Sequence, residues 1–230
     1  MKWYLDIETR VTRNEFPYAN KALEEITIIQ IVRDNDAVVL GTRNLINENC
    51  VDSNFRYVKC ADEVDMLNKF LDMLECDNPS LVYAWNGKKF DFPYIYNRLK
   101  NLKLDYARMD YENPRWKDLM LVYKLYGDKL KSYSLDSVSK HELNDSKVKH
   151  EEFTTFDSFY TGEGYDISDE PYDDPVREEI RQLKILERDG KLTDTTRLSD
   201  LIFYNYVHYG IKDSILMKRI DEKRNLSSYM

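Results

Sequence analysis

The feature that most constrains this chain is a short apolar strand that turns straight into a helix. Leu81 to Trp85 reads as a buried-type strand, Asn86-Gly87 turns it, and Pro93 opens a helix running to about Lys100. A fully apolar strand followed by a helix needs cover on both faces, which is the signature of an α/β sheet. The segments before it supply more strands. Residues 3–8 alternate, with Trp3, Leu5 and Ile7 on one face and Tyr4, Asp6 and Glu8 on the other. A second strand covers roughly Glu25 to Arg33, and the Asp34-Asn35-Asp36 turn leads into a third, Ala37 to Leu40. Ala61 to Glu75 carries Val64, Leu67, Phe70, Leu71 and Leu74 at helical spacing. Shorter helical patterns follow near Asp118 to Tyr126 and Leu135 to Glu142. Asp174-Pro175 starts another helix, stopped by Gly190, and the last runs from about Ser199 to Lys223. The expected architecture is a mixed α/β sheet with helices on both faces.

Composition narrows the class. At 230 residues the chain has the length of one large domain or two small ones, and 42% hydrophobic residues suffice for a sizeable core. No linker forces a second domain, so residues 1–230 are expected to form one domain. Thirty aromatics, mostly Tyr, exclude a disordered chain, and 7 Gly and 6 Pro exclude a low-complexity one. The longest apolar run, Ile26 to Val32, is far too short to span a bilayer, and MKWYLDIETR is no signal peptide. Cys50, Cys60 and Cys76 lack metal-site spacing and read as reduced thiols, so the expected location is the cytoplasm, that of a host if the source is viral. A net charge of −8 argues against a general polyanion coat, but the charge is unevenly placed. Glu151 to Val176 holds nine acids and no Lys or Arg, whereas Arg98 to Lys149 holds 12 basic and 8 acidic residues. A modestly basic central surface beside an acidic loop and helix insertion, at about residues 150–192, is compatible with nucleic acid in one groove. The acidic part, rich in Gly and Pro, reads as a long loop: a lid, a partner site or a disordered insertion, whose charge would repel a phosphate backbone.

Three groups of residues carry chemistry. Asp6 and Glu8 stand at i and i+2 on a strand, so their oxygens point to one side. Like charges that close need a cation, and oxygen ligands without His or Cys favour Mg²⁺ or Mn²⁺. An exposed, merely solvated pair is the plainer alternative. The second group is the run Asn86-Gly87-Lys88-Lys89-Phe90-Asp91-Phe92-Pro93-Tyr94-Ile95. Asp91 there is either a helix-capping carboxylate or a third acid at the carboxyl end of a strand, where open α/β sheets bind ligands. The third is Tyr209-Gly210-Ile211-Lys212-Asp213, with Tyr209 and Asp213 one helical turn apart.

Together these motifs resemble those of DnaQ-like 3′–5′ exonucleases, most closely the proofreading exonuclease domain of family B DNA polymerases. The shared pattern is D-I-E first, N-x-x-x-F-D-x-P-Y-I second and Y-x-x-x-D third. Two runs between the second and third motifs resemble the family too: Asp118 to Tyr123, and Ser132-Tyr133-Ser134-Leu135-Asp136-Ser137-Val138-Ser139. The likeness spans residue 3 to about residue 220. It implies an RNase H-like fold, a mixed five-stranded sheet with helices on both faces, in which Asp6, Glu8, Asp91 and Asp213 bind two metal ions, with Asp6 shared. Glu8 helps to orient the water, Asp213 ligates the water-bearing ion, and Asp91 acts through metal-bound water. Two ions about 4 Å apart can clamp the attacking and leaving oxygens of an in-line displacement at phosphorus. The family divides into branches with Tyr or His near the last Asp. On a regular helix Tyr209 lies roughly 40° from Asp213 and His208 roughly 140° away, which favours Tyr209. Gly210 leaves room for an irregular turn that would bring His208 in instead.

The activity implied is hydrolysis from the 3′ end of a single strand, releasing nucleoside monophosphates, with DNA the expected substrate and RNA the alternative. Asn86, Lys88, Lys89, Phe90 and Tyr94 are the candidate substrate contacts: lysines for phosphate, rings for stacking. With the first motif at residue 3 and 17 residues after Asp213, the sequence holds no polymerase palm or fingers. The expectation is a stand-alone exonuclease or the exonuclease piece of a split enzyme, with a DNA polymerase or replication protein as a partner. A module that holds a strand end without turnover is the rival from another class.

Overall fold

The computed structural model describes residues 1–12, 16–45 and 55–229. Its centre is a six-stranded sheet of order β4-β3-β2-β1-β5-β6. The strands are β1 (Lys2–Thr9), β2 (Ile26–Val32), β3 (Ala37–Gly41), β4 (Arg56–Lys59), β5 (Leu81–Ala84) and β6 (Trp116–Asp118). β1–β2 and β2–β3 are antiparallel, while β3–β4, β1–β5 and β5–β6 are parallel. The sheet thus has one strand more than expected. β6 is three residues long, too short to show an alternation. β4 is a four-residue edge strand with no fully buried residue, so neither carries a hydrophobic signal.

The helices are α1 (Glu63–Asp77), α2 (Asp91–Asn101), α3 (Leu119–Tyr126), α4 (Leu135–Leu143), α5 (Phe156–Thr161), α6 (Pro175–Arg188) and α7 (Thr196–Arg224). They cover both faces. Trp3, Leu5, Ile7, Ile29 and Ile31 pack with Phe70 and Leu71 of α1 and Phe92 and Ile95 of α2. Tyr4, Ile28, Val32 and Val39 pack on the other face with Tyr206, Val207, Ile211 and Leu216 of α7. The alternation along β1 therefore sorts its residues as expected, and it places Asp6 and Glu8 on the α7 side.

The acidic segment is not the expected long loop. Thr155 caps α5 by accepting from the Ser158 amide, Phe153 bridges Tyr165, and Phe159 is fully buried. Some of its charge is neutralised internally: Arg177 donates twice to the buried Glu152, and Arg10 donates to both oxygens of Asp157 at 2.5 and 2.9 Å. Cys60 and Cys76 are free thiols, as expected, and Cys50 lies outside the described residues. Among the described residues no helix is long and apolar enough to cross a membrane.

α7 runs unbroken through Gly210, which the close approach of helix to sheet requires. A Cβ there would sit 1.9 Å from Nε2 and 2.9 Å from Cδ of Gln30 on β2. The glycine is a packing residue, and the helix beside it stays regular.

Candidate active site

Asp6 and Glu8 stand near the carboxyl end of β1, and a register shift between Glu8 and Thr9 marks a bulge just beyond them. β5 runs parallel beside β1, so its carboxyl end opens on the same edge. Gly87 makes the turn there, where a Cβ would lie 2.5 Å from the Ala84 Cβ and 2.8 Å from the Phe92 ring. Asn86 adopts φ 65°, with its amide donating to the Asp118 carboxylate at 3.2 Å. α2 follows at once, starting at Asp91, two residues before Pro93. Phe90 holds the N-cap position, so Asp91 enters the first turn one residue inside the helix. α7 crosses the sheet on the face of Asp6 and Glu8 and presents Tyr209 and Asp213 from successive turns.

All five residues line one cavity of about 530 Å³, together with Asn86, Phe90, Trp85 and Lys147. The carboxylates are poorly hydrated: Glu8, Asp91 and Asp213 are buried. Burial pushes Asp6 well above the usual carboxylate range, helped by Asp91, Glu8 and Asp213. Glu8 rises by burial and by repulsion from Asp213, and Asp213 rises by burial. Asp91 is pushed up to about 7, chiefly by burial, against backbone hydrogen bonds at Asp91 and Ile7. Four acids so raised form a site in want of positive charge.

The side chain that answers part of that want was not anticipated. Lys147, in the segment after α4, pairs with Asp213 Oδ2 and donates to the Tyr209 hydroxyl at 3.2 Å. In the sequence it stands with Lys149 between Asp145 and the acidic stretch, with no motif to mark it. Oδ1 of Asp213 is buried without a hydrogen-bond partner. A second set of ligand-type atoms, from Asp128, His141 and Glu142, closes to within 4.8 Å. There, however, Arg224 donates to Asp128 and Glu142, and Tyr123 donates to Glu142, so a guanidinium already fills the place of a cation.

The two candidates for positioning water separate cleanly. Tyr209 lines the cavity, held by rings from the insertion: His150, Phe156 and Phe159 lie 5.0, 5.7 and 5.7 Å from it, centroid to centroid. His208 faces away, against Tyr204 at 4.9 Å and Phe55 at 6.1 Å. The expected substrate contacts divide as well. Asn86 and Phe90 line the cavity, Lys88 and Lys89 are exposed outside its lining, and Tyr94 is wholly buried with its hydroxyl donating to the Glu24 carbonyl. A ring with no exposed surface cannot stack on a base, so the place assigned to Tyr94 is corrected. Phe16 takes it. This ring is 73% exposed and packs on Phe90 at 4.9 Å, on the cavity wall. Thr155 and Phe156 bring the insertion into the same wall.

Residues 3–119 match the family described as DNA polymerase family B, exonuclease domain. The chain belongs to that family. A DNA polymerase of Bombyx mori nuclear polyhedrosis virus is 31% identical over 120 residues, covering 49% of this chain and 12% of the polymerase. The DNA-directed DNA polymerase of Enterobacteria phage T4 is 27% identical over 168 residues, 73% of this chain and 17% of the polymerase. That of Escherichia phage RB69 is 25% identical over 119 residues, 41% of this chain and 13% of the polymerase. The matches thus span less than a fifth of the length of these relatives.

Proposed function

We propose that this exonuclease-family chain is a 3′–5′ exonuclease that removes nucleoside monophosphates from the 3′ end of single-stranded DNA. Two divalent cations, Mg²⁺ or Mn²⁺, would be held by Asp6, Glu8, Asp91 and Asp213. The observation that carries the reading is the convergence of these four carboxylates, from β1, α2 and α7, on one cavity with Tyr209. The donor set fits such ions: hard oxygens, an orphaned buried Asp213 oxygen, and acids raised by burial and, at Asp6, by its carboxylate neighbours. When bound, the ions supply Lewis acidity and charge neutralisation at phosphorus. The protein's own groups do the rest. Tyr209 accepts from Lys147, which leaves its phenol proton to orient a water beside the phosphodiester. Lys147 brings a positive charge to where an anionic oxygen would develop. Phe16 and Phe90 offer ring faces to the terminal base. We take residues 1–230 as one exonuclease domain, since α5 and α6 of the insertion pack on α7. The similarity to polymerases makes a DNA polymerase the proposed partner.

A groove built for a terminal phosphodiester should act only at free 3′ ends. Linear single strands should be degraded, whereas circular ones and strands blocked at the 3′ end should resist. Cleavage of circles at a comparable rate would mean an endonuclease, and a preference for RNA would move the substrate class.

The metal assignment also makes a stability prediction. Asp91 has a folded value of about 7, above the ordinary 3.8. Between those values the folded state binds a proton that the unfolded state has released, so stability falls as pH rises through the window. In EDTA the Tm should drop between pH 5 and pH 8, and Mg²⁺ should restore it at pH 8. A Tm indifferent to both would contradict the site.

A further inference from the structure

Residues 16–24, before β2, show an unusual combination: large rings in water on a backbone that is tied down. Phe16, Tyr18 and Leu23 are 73%, 56% and 54% exposed. Exposed apolar side chains on a loop ordinarily accompany a backbone free to move. Here one face of α2 holds it, with contacts at i, i+3, i+4 and i+7. Tyr94 donates to the Glu24 carbonyl at 2.8 Å and Asn97 to that of Ala19 at 3.0 Å. Arg98 donates to Leu23 at 2.7 Å, and Asn101 to Lys21 at 2.6 Å and Ala22 at 3.0 Å. Within the loop the Lys21 and Ala22 amides both return to the Tyr18 carbonyl. α2 is the helix that begins with Asp91, so the loop is held in register with the acids.

The loop also continues the groove. A smaller cavity of about 60 Å³, lined by Tyr18, Lys21, Leu23 and Glu24, shares Val11, Phe16 and Pro17 with the cavity of the four acids. Lys21 stands with its ammonium 5.0 Å from the Tyr18 ring centroid. Glu24, the acid in this lining, accepts from the Thr12 hydroxyl at 2.8 Å. A ring and an ammonium side by side are the two parts that a single-stranded nucleic acid requires, a face for a base and a charge for a phosphate.

We propose that residues 16–24 form a preorganised platform for the nucleotides that precede the strand end, with Tyr18 stacking on a base and Lys21 meeting a backbone phosphate. The inference rests on the exonuclease reading and adds a second subsite to it. Anchoring by α2 means that little ordering entropy is lost when the strand binds. The buried Tyr94 serves the same purpose from below, through the backbone.

The test measures binding apart from turnover. Wild-type protein and variants in EDTA are titrated with 5′-labelled thymidine hexanucleotide and dinucleotide by fluorescence anisotropy. Hydrolysis of thymidine 5′-p-nitrophenyl phosphate with Mg²⁺ is followed in parallel. Tyr18→Ala should weaken hexanucleotide binding about 10-fold, the size of one base–aromatic stack. It should leave dinucleotide binding, ester hydrolysis and Tm unchanged, and Tyr18→Phe should restore the affinity. Lys21→Gln should lower the salt dependence of hexanucleotide binding by about 0.7 in the log–log slope. Wild-type affinity in Tyr18→Ala, with the wild type binding and hydrolysing normally, would overturn the platform alone. A wild type that neither hydrolyses the ester nor binds the hexanucleotide would overturn the exonuclease reading and the platform with it.

Discussion

Asp6→Ala should abolish hydrolysis and leave a folded protein. Asp6 sits among Glu8, Asp91 and Asp213, and all four acids are raised by burial in one cavity. Removing it takes away a proposed metal ligand, and the loss should exceed about 10³-fold in single-turnover rate, several kcal/mol of transition-state stabilisation. The fold should gain in the absence of metal, because one of four mutually repelling carboxylates is gone. In EDTA at pH 8 the variant should therefore melt at or above the wild-type temperature. Full activity in Asp6→Ala with Mg²⁺ in excess would refute the metal assignment. A fall in Tm would refute the electrostatic account of the site.

Tyr209→Phe should keep the cavity and slow the chemical step by roughly 10- to 10³-fold, the cost of removing one hydrogen-bonding group from a phosphoryl-transfer site. The Phe156 and Phe159 rings that hold Tyr209 would hold phenylalanine equally well, so the loss should fall on the rate rather than on stability. His208→Ala should change the rate by less than about threefold, because His208 packs on Tyr204 and Phe55, away from the acids. Burial also holds its imidazole below the ordinary 6.5. If His208 were the base, the ranking would invert, and the pH–rate profile would show an imidazole limb. Single-turnover rates of both variants across pH decide between them.

How much of this was legible in the sequence varies with the kind of signal. The alternation over residues 3–8 and the apolar run of β2 are periodic patterns, and they place Asp6 and Glu8 on the face that α7 covers. Tyr209 and Asp213 follow from helical spacing once α7 is regular. Lys147 was hidden because it belongs to no periodic element; only the folding of the segment after α4 brings it to Asp213. Phe16 was hidden for the same reason, in a loop whose side-chain directions depend on the anchoring by α2. α5 was masked by composition: acids and glycines read as a loop, while Thr155 capping and the burial of Phe159 and Tyr160 make a helix. Tyr94 failed in the opposite sense. It lies in the most specific motif, but its position on α2 turns the ring into the core.

The insertion also gains meaning from the fold. Through Thr155 and Phe156 it forms part of the cavity wall, and through Asp157 it is bound to Arg10, just beyond β1. An element that reads as an appendage in the sequence is thus built into the site.

The most direct test of the account is a degradation ladder. A single-stranded DNA labelled at its 5′ end is incubated with the protein, with Mg²⁺ and with EDTA, beside an RNA of the same sequence. The account predicts labelled products that shorten one nucleotide at a time from the 3′ end, with Mg²⁺ and not with EDTA, and faster on DNA than on RNA. Immediate release of the label as a mononucleotide, or a ladder that persists in EDTA, would contradict it.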